Sequence, residues 1–159
     1  MAFKLITAEP TWAATHSDGF GLGIMLGEPS GISGRLNLSP KAALDFGLAF
    51  SVNSDVTFLV DYLFQFPRAF HSTSQFVSQI TPYLGIGGVL ALGTQTTLYR
   101  AGFRYSTGSA IFGVRIPVGL EWRPSTPSLG VFLEIAPGLL ILPSTQGLVQ
   151  GDIGIRFYF

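Results

Sequence analysis

The sequence predicts an all-β fold, an eight-stranded antiparallel up-and-down transmembrane β-barrel, from three observations. Charged residues make up only 11% of the 159 residues, and the mean hydropathy is +0.45, whereas a typical soluble domain carries about 25% charged residues. No stretch reaches the roughly 18 consecutive apolar residues that a membrane-spanning helix needs. Apolar residues instead alternate with small or polar ones in eight extended stretches. Because backbone groups in hydrocarbon must bond to each other, a lipid-exposed chain without spanning helices is a closed barrel.

Turn-forming residues separate the eight stretches. The predicted strands are 19–26, 32–38, 42–52, 56–66, 79–92, 109–122, 128–141 and 147–159. Their short connections are rich in Gly, Pro, Ser, Asn and Asp, as in GEPSG at 27–31 and NSD at 53–55. Two connections, 67–78 and 93–108, are longer. Three prolines within the predicted strands, Pro82, Pro117 and Pro137, predict bulges or register breaks, because a closed barrel has no edge on which a missing N–H can be placed.

In each predicted strand, one phase of the alternation carries no charge. In the first four strands this phase is Phe20, Leu22, Ile24, Leu26; Ile32, Gly34, Leu36, Leu38; Leu44, Phe46, Leu48, Phe50, Val52; and Val56, Phe58, Val60, Tyr62, Phe64, Phe66. In the last four it is Ile80, Pro82, Leu84, Ile86, Gly88, Leu90, Leu92; Phe112, Val114, Ile116, Val118, Leu120, Trp122; Leu129, Val131, Leu133, Ile135; and Ile153, Ile155, Phe157, Phe159. An eight-stranded interior is only wide enough to be filled by side chains, so we expect the bulky phase to point outward.

The opposite phase contains glycines, small residues and charges. Its charged members are Arg35, Asp45, Asp61, Arg115, Glu121, Glu134, Asp152 and Arg156. Because an isolated buried charge is costly, we expect these side chains to form one network that fills the lumen. A narrow proton or ion path through the same charges is the functional alternative.

Aromatic residues lie near the strand ends that this topology brings to one rim. They are Phe20, Phe64, Phe66, Trp122, Phe157 and Phe159. Rings of this kind anchor a barrel at the level of lipid headgroups, which predicts an aromatic girdle. Outward Gly34 and Gly88 would leave smooth spots in the apolar wall, which leaves homo-oligomer formation open.

The last strand also carries a recognisable ending. Asp152, Gly154, Phe157 and Phe159 form the pattern polar-x-Gly-x-x-aromatic-x-aromatic, which is similar to the sorting signal that the barrel assembly machinery reads on bacterial outer-membrane proteins. Over residues 19–159 the chain resembles the small eight-stranded barrels of the outer-membrane protein A and X type. ALDFGLAF, FGVRIPVGLEW and VFLEIAP are similar to a branch of predicted outer-membrane barrels. The resemblance implies a Gram-negative outer membrane, with membrane lipid and the assembly machinery as partners.

The sequence therefore predicts a barrel over 19–159, preceded by a periplasmic segment over 1–18. Residues 1–18 do not contain the apolar core of a secretory signal, so we interpret the chain as a mature form that begins with an initiating methionine. The expected role is structural or in assembly, without enzymatic activity, cofactor or metal. The chain contains no cysteine, and its nine basic and nine acidic residues balance, which argues against a nucleic-acid partner.

Three rival functions remain open at this stage. The first is a narrow pore or an oligomeric, porin-like channel. The second is a soluble lipocalin-like carrier, which would need the Phe and Leu phase turned inward. The third is a lipid-modifying enzyme that uses His71 beside Ser72, Thr73 and Ser74, although no carboxylate follows nearby to orient the histidine.

Overall fold

The computed structural model describes residues 19–50, 56–70, 72–92, 99–100, 103–104, 110–124, 126, 128–143 and 145–159. The predicted segment 1–18 and His71 lie outside the described residues. The strands are β1 (Phe20–Glu28), β2 (Ser30–Ser39), β3 (Ala42–Phe50), β4 (Val56–Gln65), β5 (Ile80–Leu92), β6 (Tyr99–Arg100), β7 (Phe103–Arg104), β8 (Ala110–Arg115), β9 (Val118–Trp122), β10 (Leu129–Leu142) and β11 (Gln146–Tyr158). One short helix, α1, covers Gln75–Ser78.

The large sheet closes into the predicted antiparallel barrel. Each of β1 to β4 pairs with the next strand, β10 pairs with β11, and β11 pairs with β1, where Ile24 lies opposite Ile155. β8 and β9 are the two halves of the sixth barrel strand, and both lie between β5 and β10. β6 and β7 form a separate hairpin in the connection before β8. The all-β, eight-stranded prediction is confirmed.

Only one of the three prolines interrupts a strand. The sixth strand is broken at Ile116 and Pro117, where the Pro117 carbonyl accepts a hydrogen bond from Gly85 N at 2.8 Å. Pro137 lies within β10 opposite this break, and its carbonyl accepts a hydrogen bond from Ile116 N at 2.8 Å. The prolines of neighbouring strands therefore share one interruption.

The break predicted at Pro82 is wrong. Pro82 pairs in register with Leu120, and its carbonyl accepts a hydrogen bond from Phe66 N at 2.9 Å. The missing N–H of Pro82 therefore faces Phe66, just beyond the end of β4. The Phe66 carbonyl accepts from Ala69 N at 3.2 Å instead, so the turn satisfies the acceptor that the proline cannot reach.

The outer surface of the barrel is apolar along the full length of the strands. Val60, Ile86 and Ile135 are 54%, 62% and 58% exposed, whereas Arg35 and Arg115 are 0% and 2% exposed. Within the described part of the chain, no helix is long and apolar enough to cross a membrane. The alternation therefore separates a bulky apolar exterior from an ionic interior, as the sequence predicts. A soluble carrier would need the reverse arrangement, so that alternative is wrong.

The lumen has three levels, which we name from the end that carries Gly19 and Phe159, called here the terminal end. Apolar side chains fill the opposite end and form one cluster: Met25, Ala49, Leu59, Val89, Phe132 and Leu140. The charged residues occupy the middle. A cavity of about 740 Å³, called here the vestibule, opens at the terminal end.

Candidate functional site

Arg35 on β2 forms the first centre of the ionic network. Its Nε and Nη2 donate to the two carboxylate oxygens of Asp45 at 2.6 and 2.7 Å, and its Nη1 donates to Glu121 Oε2 at 2.6 Å. Asp45 lies directly opposite Arg35 in the β2–β3 ladder, whereas Glu121 crosses the lumen from β9. The guanidinium also lies 4.6 Å from the centre of the Tyr83 ring. Arg35 therefore forms a bidentate pair with Asp45 and binds Glu121 through its remaining nitrogen.

Arg156 on β11 shares Asp45 with Arg35. Its Nη2 donates to Asp45 Oδ2 at 2.9 Å, and its Nε and Nη2 both donate to the Ser33 hydroxyl. The guanidinium lies 3.7 Å from the centre of the Phe132 ring, and its Nη1 lies 3.8 Å from Glu121 Oε1. The Tyr158 hydroxyl donates to that same Glu121 oxygen. Asp45 and Glu121 therefore connect β2, β3, β9 and β11 across the lumen.

Arg115 on β8 forms the second centre. Its Nε and Nη2 donate to the two oxygens of Asp61 at 2.9 and 2.8 Å, and Nη2 also donates to Glu134 Oε1 at 2.5 Å. Its Nη1 donates to Gln150 at 3.0 Å. The other oxygen of Glu134 accepts from the Tyr83 hydroxyl at 2.9 Å. Since Tyr83 also faces Arg35, this ring lies between the two centres.

Inward glycines provide the space for these side chains. A Cβ placed on Gly87 would lie 2.7 Å from Asp61 Cγ, and one on Gly130 would lie 2.8 Å from both Glu121 Oε1 and Tyr158 Cε2. Real Cβ atoms do not approach other atoms so closely, so a side chain at either position would displace a carboxylate. The glycines and the charges of the inward phase therefore depend on each other.

The structure brings seven of the eight predicted lumen charges into hydrogen-bonded contact. They are Arg35, Asp45, Asp61, Arg115, Glu121, Glu134 and Arg156. Asp152 is also buried, at 6% exposed, and lies opposite Glu134 in the β10–β11 ladder. No hydrogen bond or ion pair joins Asp152 to another of the described side chains. The strand phase therefore predicts correctly that Asp152 faces the lumen, but the Asp152 carboxylate makes no hydrogen bond to a described guanidinium group.

The packing leaves little space among the charges. The cavity between Asp45, Asp61, Arg115 and Arg156 has a volume of about 10 Å³, which is near the minimum for one water molecule. Beyond it, toward the end opposite the termini, lies the apolar cluster that contains Met25 and Leu140. In the described part of the barrel, the middle of the lumen is filled by side chains.

The vestibule is lined by both polar and apolar residues, with Tyr158 at its floor. Arg123 lies at its side, with the guanidinium 3.9 Å from the centre of the Tyr158 ring. Gln65 donates to Asn37 at 3.0 Å, and Gln79 accepts from the Trp122 indole at 3.1 Å. The lining residues are Gly19, Asn37, Leu38, Ser39, Pro40, Gln65, Pro67, Arg68, Ser78, Gln79, Thr81, Arg123, Pro124, Ser128, Leu129 and Tyr158.

The aromatic residues predicted as a girdle all lie at the terminal end. Phe20, Phe64 and Phe66 are 37%, 49% and 50% exposed, and Phe20 stacks on Phe159 with ring centres 6.5 Å apart. Trp122 is half-buried because Phe76 of α1 packs against it at 5.4 Å.

The residues of the C-terminal pattern divide between the two faces. Phe157 and Phe159 point outward, with ring centres 5.2 Å apart, while Asp152 is buried and a Cβ on Gly154 would meet the Phe132 ring. The smooth spot predicted at Gly34 is covered by the Phe46 ring, whereas a Cβ placed on Gly88 would be 3.7 Å from Gly113 O and 3.9 Å from the Phe112 ring, which is ordinary van der Waals contact.

Sequence reasoning missed the neutral members of the network. Ser33, Tyr83, Gln150 and Tyr158 all donate to or accept from its charged side chains. Their signal was present in the phase, since Tyr158 follows Arg156 by two residues and Tyr83 precedes Gly85 and Gly87 by steps of two. It also missed the apolar cluster, because Met25, Leu59 and Phe132 occur singly among small residues. The vestibule has no sequence signal, since strand ends and connections from all around the barrel form it.

The closed antiparallel barrel of eight strands, with an apolar exterior and buried salt bridges, has the fold of the small outer-membrane barrels. The sequence matches no family model and no curated protein sequence. Among solved structures, the crystal structure of the N-terminal β-barrel domain of Pseudomonas aeruginosa OprF is similar, with a TM-score of 0.59 and 14% sequence identity. The match covers 88% of this chain and 95% of that one, and it confirms the predicted resemblance at the level of fold.

Proposed function

We propose that the chain is an integral protein of the bacterial outer membrane, with a structural or assembly role and a lumen closed by its own side chains. The observation that carries this proposal is the opposition of the two faces. Outward residues such as Val60 and Ile135 are more than half exposed, while three arginines and five carboxyl groups are buried. Apolar side chains in hydrocarbon and paired charges in a narrow interior suit a membrane barrel.

The dimensions of the strands agree with membrane residence. β5 and β11 each contain 13 residues, and β10 contains 14. A strand of about ten residues, rising about 3.3 Å per residue with a tilt of about 45°, covers roughly 23 Å. Strands of this length therefore cross an apolar band of about 25 Å and extend beyond it.

The orientation belongs to the same proposal. Gly19 and Phe159 lie at the terminal end together with the exposed rings, so this end would face the periplasm, and residues 1–18 would extend from it. The C-terminal pattern of Asp152, Gly154, Phe157 and Phe159 would be read by the barrel assembly machinery. Outward Phe157 and Phe159 are accessible for such contact at 48% and 63% exposed.

Detergent extraction and conductance test this function. The protein should leave the membrane only with detergent and migrate differently on gels before and after heating, and its particle mass should report the oligomeric state. In planar bilayers the folded protein should give no discrete current steps, because the middle of the lumen has space for about one water. Solubility in plain buffer would contradict membrane residence, and regular current steps would favour the narrow-pore alternative.

A lipid-modifying activity is tested separately. We propose that the chain is not an enzyme, and turnover of phospholipid acyl chains in mixed micelles should be at background level. Turnover that disappears in a His71→Ala variant would contradict this part of the proposal alone.

A further inference from the structure

The vestibule is large enough for a ligand and differs in charge from the rest of the lumen. Its volume of about 740 Å³ lies within the range of about 300 to 1,000 Å³ that small-molecule sites occupy. Its walls combine apolar Leu38, Pro67 and Leu129 with the side-chain amides of Gln65 and Gln79. Such a mixture of apolar walls with a few polar groups is typical of a binding pocket.

The charged side chains described at this end are cationic, and the C-terminal carboxylate of Phe159 adds a single negative charge. Arg68 and Arg123 line the vestibule, and Lys41 is exposed in the turn beside Pro40. Among the described residues, the carboxylate side chains are either buried in the lumen or, for Glu28, at the opposite end of the barrel. A concave site in which cationic side chains predominate, with low-dielectric walls, attracts anions.

The backbone at Arg68 supports the assignment. Arg68 follows Pro67 in the turn closed by the bond from Ala69 N to Phe66 O, and its φ is 63°. Among the described residues it is the one non-glycine with positive φ, in a conformation that favours glycine. Arg68 therefore places a cationic side chain at the mouth of the vestibule, at a position whose backbone conformation favours glycine.

We propose that the vestibule binds a small anionic solute, with Arg68 and Arg123 holding its phosphate or carboxylate group. Guanidinium groups bind both kinds of anion through paired hydrogen bonds. The Tyr158 ring holds Arg123 from below, and Gln65 and Gln79 provide polar groups for the uncharged part of the solute. This site is independent of the structural role proposed above, since it requires only the barrel end.

Calorimetric titration of the full chain in phosphatidylcholine nanodiscs tests the proposal. The probes are glucose 6-phosphate, citrate and uncharged glucose. We expect saturable binding of both anions and none of glucose. Arg123→Gln should weaken glucose 6-phosphate binding about tenfold or more, and Arg123→Lys should restore part of it, because one charge-assisted contact is lost and then partly replaced.

Two further variants separate charge from folding. Arg68→Gly should weaken binding by a similar factor while raising the melting temperature, since glycine suits the positive φ. Arg104→Gln, which removes a cation in the connection at the opposite end, should leave the affinity unchanged. Equal binding of glucose and glucose 6-phosphate, or unchanged affinity in both Arg68→Gly and Arg123→Gln, would overturn the proposal.

The same assay distinguishes sources of the anion. If phosphatidylglycerol in the nanodiscs competes with glucose 6-phosphate, a lipid headgroup reaches the site. If phosphatidylglycerol does not change the affinity, the ligand comes from solution.

Discussion

Replacing Asp45 with asparagine should destabilise the barrel more than any other single neutralisation in the lumen. The Asp45 carboxylate is 5% exposed and accepts hydrogen bonds from two guanidinium groups, at 2.6 and 2.7 Å from Arg35 and at 2.9 Å from Arg156. Asparagine has nearly the same shape but carries no charge, and its NH₂ would face an arginine donor. Two buried cations would then share Glu121. Breaking a buried ion pair by removing one partner costs about 3 to 5 kcal/mol.

Asp152→Asn is the matched control. Asp152 is 6% exposed, so the two carboxyl groups are equally buried, but among the described side chains Asp152 has no hydrogen-bonding or ion-pair partner. It also lies opposite Glu134, another carboxyl group. Removing its charge should therefore change the unfolding free energy by less than about 1 kcal/mol, because no hydrogen-bonded pair is broken. The lost attraction to Arg115 and Arg156 is offset by the lower cost of burying a neutral group and by the lost repulsion from neighbouring carboxylates.

Both variants can be measured by reversible urea unfolding in phospholipid vesicles, with tryptophan fluorescence and heat-modifiable gel migration as independent readouts. The midpoint for Asp45→Asn should fall well below that of the parent chain, with an unchanged slope, while Asp152→Asn stays close to it. Equal losses in the two variants would mean that burial alone sets the cost. An unaffected Asp45→Asn would refute the assignment of Asp45 as the link between the two arginines.

Two other predictions use the same unfolding assay. Gly87→Ala should cost about 1 to 3 kcal/mol, because the added Cβ would lie 2.5 Å from Val60 O and 2.7 Å from Asp61 Cγ. Gly151→Ala is the control and should be tolerated, since the atom nearest to its added Cβ is Glu134 O at 3.8 Å. A tolerated Gly87→Ala would show that the Asp61 side chain is not confined. Ile135→Arg, at mid-strand, should cost about 2 to 4 kcal/mol in vesicles, and Val149→Arg, nearer the rim, about 0 to 1 kcal/mol. Equal costs at Ile135 and Val149 would contradict the depth dependence expected of a lipid-facing wall.

The sequence was sufficient for the fold because the period-two pattern extends over every barrel strand. The predicted strand 56–66 corresponds to Val56–Gln65, and 128–141 corresponds to Leu129–Leu142. The predicted strand 109–122 is interrupted, since Pro117 removes an N–H where Pro137 of the neighbouring strand also lacks one. The regular pairing at Pro82 could not be predicted from the sequence, because it depends on where β4 ends. That end is set by the turn at Phe66 and Ala69 rather than by Pro82 itself.

The sequence predicts which charged side chains face the lumen, but it does not predict which of them pair with each other. Phase places Arg35, Arg115 and Arg156 in the lumen, but the choice of Asp45 or Glu121 as acceptor depends on the register across six strands. Asp152 shows the same limit, because its phase is correct and its neighbour is Glu134 rather than an arginine. Arg68 and Arg123 come from connections that meet only after the barrel closes, so no spacing in the sequence predicts that they line one cavity.

The paired residues of the lumen network are far apart in sequence, and this affects how the barrel can open. Arg156 and Asp45 are 111 residues apart, Arg35 and Glu121 are 86 apart, and Arg115 and Asp61 are 54 apart. If the seam between β1 and β11 parted, Arg156 would lose its bonds to Asp45 and Ser33, and Asp45 would keep only Arg35 as a counter-charge in a lumen now open to hydrocarbon. Peeling a single strand away is therefore penalised from its first step, so the barrel should lose its structure as one cooperative unit.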